Sequence, residues 1–223
     1  MRDKYSTELT NHVAGLDRYF QVARCYRDEG GKPDRQPEFT QLDIEMSFSS
    51  REDIINLIQD LLLHCWPEKL NTPFEQMFYE DAMNNYGVDK PDLRFGNKII
   101  NLTELFKGDS GFDFIDERIN SETFFVGGVF FDPLDTTDKK VLKTVDKDIK
   151  VVLRDHLKQC SDNNSPVIVS SFSNIDNKVE NSVLKKCNDE TRSRVANTVK
   201  NQQIGFIVCG DKNSVLPVLG RIR

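Results

Sequence analysis

The chain has 223 residues, 38 % hydrophobic and 30 % charged, and its 30 Lys and Arg against 36 Asp and Glu give a formal net charge of −6. That balance suits a soluble globular protein with one large core or two modest ones, and excludes a disordered tail and a nucleic-acid binder that works by overall charge alone. No stretch approaches the roughly 18 apolar residues of a membrane span, and residues 1–8 carry no apolar signal core and are too acidic for a transit peptide.

Residues 16–26 are rich in aromatic and β-branched side chains and predict a strand. Residues 28–37, dense in Gly, Pro and charge, predict a loop. Alternation then returns: Leu42, Ile44, Met46 and Phe48 share one face, and Phe39, Gln41, Asp43 and Glu45 the other. The two strands form a long-looped antiparallel hairpin. Ser50 with Asp53, or Ser49 with Glu52, offers a capping box for a helix whose stripe of Ile54, Ile55, Ile58, Leu61, Leu62 and Cys65 stops before Pro67 and reads as core. Thr72 and Pro73 predict the start of a second helix, carrying Phe74, Met77, Phe78 and Met83 and stopped by Gly87. Residues 88–96 are a turn-rich connection.

Beyond about residue 108 the elements shorten. Strands are predicted over 123–131, 166–172 and 203–209, helices over 136–157 and 178–200, and another helix from Val215. This β-α-β-α-β order predicts a second, small α/β domain. The lysines of 136–158 (Lys139, Lys140, Lys143, Lys147, Lys150) stand among Asp138, Asp146 and Asp148 as on a solvated helix face. The last five residues stop within a predicted helix, and the expectation is a truncated chain. Five widely spaced cysteines (Cys25, Cys65, Cys160, Cys187, Cys209) without a C-x-x-C pair, and three scattered histidines, predict free, mostly buried thiols in a reducing compartment and no protein-ligated metal.

The chemistry concentrates on the hairpin. Arg27 sits where the first strand enters the loop, the loop adds Lys32, Arg35 and Gln36, and the returning strand presents Phe39, Gln41, Asp43 and Glu45. A guanidinium grips phosphate or carboxylate, an aromatic face stacks a base, and a carboxylate accepts from an ammonium. The same residues also fit a plain solvated strand face in which Arg27 pairs with Asp43 or Glu45.

Residues 15–48, containing Tyr26-Arg27-Asp28-Glu29 and Asp34-Arg35-Gln36-Pro37-Glu38-Phe39-Thr40-Gln41-Leu42-Asp43-Ile44-Glu45, closely resemble motif 2 of class II aspartyl-tRNA synthetases of the bacterial type, which includes the mitochondrial enzymes. Tyr86-Gly87-Val88-Asp89-Lys90-Pro91-Asp92-Leu93-Arg94 is similar to a signature of that branch, and the part from about Gly108 resembles its GAD insertion domain. The resemblance implies an α+β fold: part of the antiparallel-sheet catalytic domain over residues 1–108, and a small α/β, GAD-like insertion domain over 109–223. It implies an ATP-dependent aspartate–tRNA ligase, with L-aspartate, ATP with Mg²⁺ and tRNA(Asp) as substrates. It further implies a homodimer at full length and a mitochondrial matrix or bacterial cytoplasmic location.

By the same resemblance Arg27 would bind the ATP α-phosphate and the aspartate carboxylate. Asp28, Glu29, Gln36 and Phe39 would line the ATP site, with Phe39 stacking on adenine. Gln41 and Asp43 would line the aspartate side, Asp43 meeting its ammonium, and Lys32, Asp34 and Arg35 would face the tRNA acceptor end. The family's anticodon domain, motif 1 and motif 3 have no counterpart in these 223 residues. The expectations are therefore that the chain is part of such an enzyme, that alone it does not aminoacylate tRNA, and that 1–108 are poorly ordered in isolation while 109–223 fold. The rival expectation is a non-catalytic, synthetase-derived protein that binds tRNA or a protein partner.

Overall fold

The alternation of the first segment becomes a ribbon of two strands, β1 (Arg18–Tyr26) and β2 (Glu38–Met46), paired antiparallel with Arg18 opposite Met46 and Tyr26 opposite Glu38. This is seen in a computed structural model that describes residues 15–28, 35–94, 96–132, 147–149, 151, 153, 154, 157, 158, 166–175, 178–199 and 203–223. The ladder runs one step past each end: the Ser47 N–H donates to the Asp17 carbonyl at 2.9 Å, and the Arg27 N–H to the Pro37 carbonyl at 2.8 Å.

Helix α1 (Arg51–Cys65) follows, and the first of the two predicted capping boxes is the one that forms. Ser50 Oγ accepts from the Asp53 N–H at 3.2 Å while Asp53 Oδ2 accepts from the Ser50 N–H at 2.8 Å. The Ser50 N–H, and after it the Ser50 hydroxyl that also donates to Asp53 Oδ2 at 2.8 Å, hold the Asp53 carboxyl below its ordinary range. No residue of α1 is buried, and Ile54 and Ile58 are 48 % and 38 % exposed. The stripe read as core is thus half open, because a two-stranded ribbon has too little area to cover a four-turn helix.

The chain packs as two units, residues 1–76 and 77–223. Residues 77–108, grouped with the catalytic part by motif content, supply Ala82, Tyr86, Ile99, Leu102 and Phe106 to the buried interior of the second unit. Its first helix, α2 (Tyr79–Tyr86), starts later than Thr72 and Pro73 suggest. The Phe74 N–H is taken by the Gln59 side chain at 2.7 Å, and Phe78, extended, is the residue that leads into the helix. Gly87 ends it in the left-handed region, φ +70°, as its sequence position predicts.

The rest of the unit is β3 (Ile100–Asn101), a 3₁₀ turn (Thr103–Phe106), a one-turn α3 (Asp113–Asp116), β4 (Phe124–Phe131), β5 (Ile168–Ile175), β6 (Lys178–Asn181), a 3₁₀ turn (Leu184–Lys186), α4 (Asp189–Thr198), β7 (Gln203–Asp211) and α5 (Lys212–Ile222). The sheet order is β3-β4-β7-β5-β6 and every neighbouring pair is antiparallel. The β-α-β-α-β order hides this, because β7 returns between β4 and β5 and separates the two strands that run the same way. The second unit is accordingly an antiparallel sheet with helices, and the chain throughout is α+β.

Two further expectations change. The helix predicted over 178–200 begins only at Asp189, capped by the Asn188 side chain on the Thr191 N–H at 2.8 Å. Before it, Lys178–Asn181 turns back as an edge strand on β5. In the segment predicted helical over 136–157, residues 147–149, 151, 153, 154 and 157 are helical and the others lie outside the described residues.

Strand β4 is buried along seven of its eight residues because both faces are covered. Phe124, Val126 and Phe130 face one core with Leu102, Ile115, Val195 and Ile207; Phe125 and Val129 face another with Leu153, Val208, Val215 and Leu219. Of the cysteines, Cys187 and Cys209 are buried free thiols, Cys25 is half-buried and Cys65 exposed; Cys160 lies outside the described residues. Burial pushes the Cys187 thiol up to about 11 and the Cys209 thiol up to about 12.

Candidate active-site hairpin

Strand geometry alone puts every second residue of the ribbon on one face. The register sets Cys25 opposite Phe39, Ala23 opposite Gln41 and Gln21 opposite Asp43, and the extra ladder bond from Arg27 carries the same file one residue further. These paired positions are half-buried, whereas Phe20 and Val22 on the other face are 69 % and 72 % exposed.

Along the file the side chains touch in sequence. The Arg27 guanidinium carbon stands over the Phe39 ring, 5.2 Å from its centroid. Arg27 Nη2 donates to Gln41 Oε1 at 3.2 Å. Gln41 Nε2 donates to Asp43 Oδ1 at 3.4 Å, and Gln21 Nε2 reaches Asp43 Oδ2 from the neighbouring strand, also at 3.4 Å. Ala23, opposite Gln41, has no bulk to push that amide off the strand face. The result is a chain of contacts from ring to cation to amide to carboxylate, Phe39–Arg27–Gln41–Asp43. Planar cation and ring suit a base and a phosphate, and the carboxylate end suits an ammonium.

The structure therefore brings together Arg27, Phe39, Gln41 and Asp43. Asp28, Arg35 and Gln36 flank the loop and are exposed. Glu29, Lys32 and Asp34 lie outside the described residues. The residue that motif reading missed is Gln21. Its signal is parity: once β1 and β2 are in register, Gln21 must face Asp43, but the register depends on how the intervening loop closes. On the opposite face Arg24 lies 3.9 Å from Glu38, which also accepts from the Tyr26 hydroxyl at 3.3 Å, both exposed contacts of small energetic weight.

The signature stretch is also built, within the second unit. Asp92 Oδ1 accepts from the Arg94 N–H at 3.0 Å and from Arg94 Nε at 2.9 Å, and these bonds bring its carboxyl down to about 2. Arg223 at the end of α5 lies over the Tyr86 ring, 4.5 Å from the centroid, and donates to the Asp92 carbonyl at 2.7 Å and to the Asn97 carbonyl. Among the described residues no three His, Cys, Asp or Glu side chains gather as a metal ion requires, and no helix is long and apolar enough to cross a membrane.

Compared with known proteins, residues 9–208 match the family described as tRNA synthetases class II (D, K and N). The chain is 36 % identical over 224 aligned positions to the mitochondrial aspartate–tRNA ligase of Homo sapiens, covering 95 % of this chain and 32 % of that protein. It is 57 % identical over 98 residues to the Mus musculus mitochondrial aspartate–tRNA ligase, 43 % of this chain and 15 % of the relative. To the aspartate–tRNA(Asp/Asn) ligase of Dictyoglomus turgidum it is 50 % identical over 119 residues, 52 % of this chain and 20 % of the relative. The chain thus spans a third or less of the length of the curated relatives it matches.

Proposed function

We propose that this chain, which belongs to the class II tRNA synthetases (D, K and N), carries the motif 2 hairpin and insertion domain of an ATP-dependent aspartate–tRNA ligase. The observation that supports it most is the contact chain Phe39–Arg27–Gln41–Asp43, whose order of ring, cation, amide and carboxylate parallels the adenine, phosphate and ammonium of an aspartyl-adenylate. The domain limits proposed are 1–108 for the catalytic part and 109–223 for the GAD-like insertion. They follow motif content and need not coincide with the packing units.

In the reaction an aspartate carboxylate oxygen attacks the α-phosphorus of MgATP, and the bond to the bridging oxygen breaks with pyrophosphate leaving. The tRNA terminal hydroxyl then attacks the acyl carbon, gives up its proton, and AMP leaves. Arg27 holds the α-phosphate and the attacking carboxylate at one guanidinium, which brings the two anions together and stabilises the charge that builds at phosphorus. Phe39 stacks on adenine, with Asp28, Glu29 and Gln36 completing the nucleotide side. Gln41 and Asp43 take the aspartate side, Asp43 accepting from the ammonium. Lys32, Asp34 and Arg35 meet the tRNA acceptor end. No covalent protein intermediate is required.

A homodimer at full length belongs to the same reading; for location, the relatives named mitochondrial support the mitochondrial matrix, and the bacterial relatives its alternative, the bacterial cytoplasm. The test is L-aspartate-dependent ATP–pyrophosphate exchange by the native-length polypeptide. Exchange is expected, and Arg27→Ala should lower it by about 10²-fold or more, the usual loss when a preorganised donor at a developing charge is removed. Absence of exchange with intact tRNA binding would replace this reading by that of a non-catalytic tRNA-binding protein.

A further inference from the structure

We infer that Gln21 is a positioning residue for the amino-acid end of the site, holding the Asp43 carboxylate in the orientation that receives the substrate ammonium; this rests on the reading of the hairpin just proposed. Asp43 is gripped from two strands. Gln41 Nε2, on its own strand, donates to Oδ1, and Gln21 Nε2, across the ladder, donates to Oδ2, each at 3.4 Å. Because the two amides take different oxygens, they fix the carboxylate plane as well as its position.

The two glutamines are not equivalent. The orientation of Gln41 is set by Arg27, whose Nη2 occupies Gln41 Oε1 at 3.2 Å and so turns the NH₂ end toward Asp43. Loss of Gln41 would disturb both ends of the file. Gln21 enters from β1 and touches only the carboxylate end, so its effect should be confined to the amino-acid substrate.

An amide is also the right chemistry for this job. An amide donates a hydrogen bond to the carboxylate without adding a charge of its own. A cationic side chain at position 21 would orient Asp43 equally well but would neutralise the charge the ammonium needs. Gln21 pins the group and leaves it anionic. Its half-buried position limits competition from water for the same oxygen.

The experiment uses the native-length protein and the variants Gln21→Met, which keeps the shape and removes the donor, and Gln21→Ala. Exchange kinetics are measured with L-aspartate and with ATP as the varied substrate, together with inhibition by succinate, which keeps both carboxylates and lacks the ammonium. Both variants should raise the L-aspartate KM by about tenfold, the worth of one hydrogen bond to a charged group, with kcat and the ATP KM within about twofold of wild type. Succinate inhibition should stay within about twofold. Adding Gln21→Met to Asp43→Asn should bring no further loss, since the group being positioned is then already altered.

An unchanged aspartate KM in Gln21→Met overturns the inference. So does a parallel rise in the ATP KM or the succinate constant, which would mark a general disturbance of the hairpin. A wild-type protein without aspartate-dependent exchange overturns the underlying reading instead, and the two failures are distinguished by the wild-type control.

Discussion

Arg27 works through shape as well as charge. Its guanidinium stands over Phe39 and donates to Gln41, two contacts that an ammonium on a flexible stem cannot make together. Arg27→Lys in the native-length protein is therefore expected to lower aspartate-dependent exchange by about 10²-fold, with the melting temperature unchanged because the residue is exposed. Exchange retained within a few fold would mean that charge alone suffices. A second residue-scale prediction concerns the thiols. Cys187 and Cys209 titrate above their ordinary range when folded, at about 11 and about 12, so between roughly pH 9 and 12 the unfolded chain releases protons that the folded chain keeps. Their contribution to stability is complete below about pH 9 and is lost as the pH rises through that window. Cys209→Ala should flatten the alkaline fall in melting temperature. In mapping by mass spectrometry, Cys65 should alkylate rapidly at pH 8 while Cys187 and Cys209 react only on unfolding. Residue types at the site were legible in the sequence because alternation sorts Phe39, Gln41 and Asp43 onto one face. Gln21 was not, since its role exists only in the cross-strand register.

At the scale of elements a close junction joins the end of α2 to the second half of α5. A Cβ on Gly220 would lie 2.7 Å from the Gly87 carbonyl oxygen and 2.8 Å from that of Tyr86, and one on Gly87 would lie 2.1 Å from the Leu216 carbonyl oxygen. Backbone meets backbone there, and neither partner is a flexible side-chain end that can swing away. Gly220→Ala should destabilise the second unit by about 3 kcal/mol, whereas Gly96→Ala, with nothing within 4 Å, should change stability by less than about 0.5 kcal/mol. Chemical denaturation followed by circular dichroism reads both. In the first unit Ser50→Ala removes one arm of the capping box and should cost about 1 kcal/mol of local helix stability. The cap and the stop at Gly87 were readable because they depend on side chains and conformations a few residues apart. Strand β6 was not: Lys-Val-Glu-Asn has no strand-like run of apolar or β-branched residues, and only pairing with β5 at the sheet edge makes it a strand. The late start of α4 has the same origin, since the chain must first complete that hairpin before Asn188 can cap.

For the whole molecule, motif content and packing divide the chain at different places, and the difference can be measured. Residues 77–108 contain the signature stretch that resemblance joins to the hairpin, but their hydrogen bonds run to β4 and to the end of α5. The Asn97 side-chain amide donates to the Phe130 carbonyl at 2.8 Å, the Leu102 N–H to the Val126 carbonyl at 2.8 Å, and Arg223 holds the Asp92 carbonyl at 2.7 Å. Leu102 and Phe106 are wholly buried in the core that β4 and β7 share. The ribbon, by contrast, has two strands, exposed Phe20 and Val22, and a helix with no buried residue, the conditions under which local opening is cheap. Hydrogen exchange on the 223-residue chain should therefore divide near residue 76. Peptides from 97–106 should exchange as slowly as those from β4 and β7, and peptides from β1 and β2 at least about 10²-fold faster. A division near residue 108, with 77–108 exchanging like the ribbon, would show that the segment's contacts with α5 and β4 are too weak to hold it, and the packing boundary would then move to the motif boundary. The sequence could place the motifs but not this division, because cohesion is set by Gly87 meeting Gly220 and by Arg223 reaching back some 130 positions to Asp92, contacts that only the folded chain brings within reach.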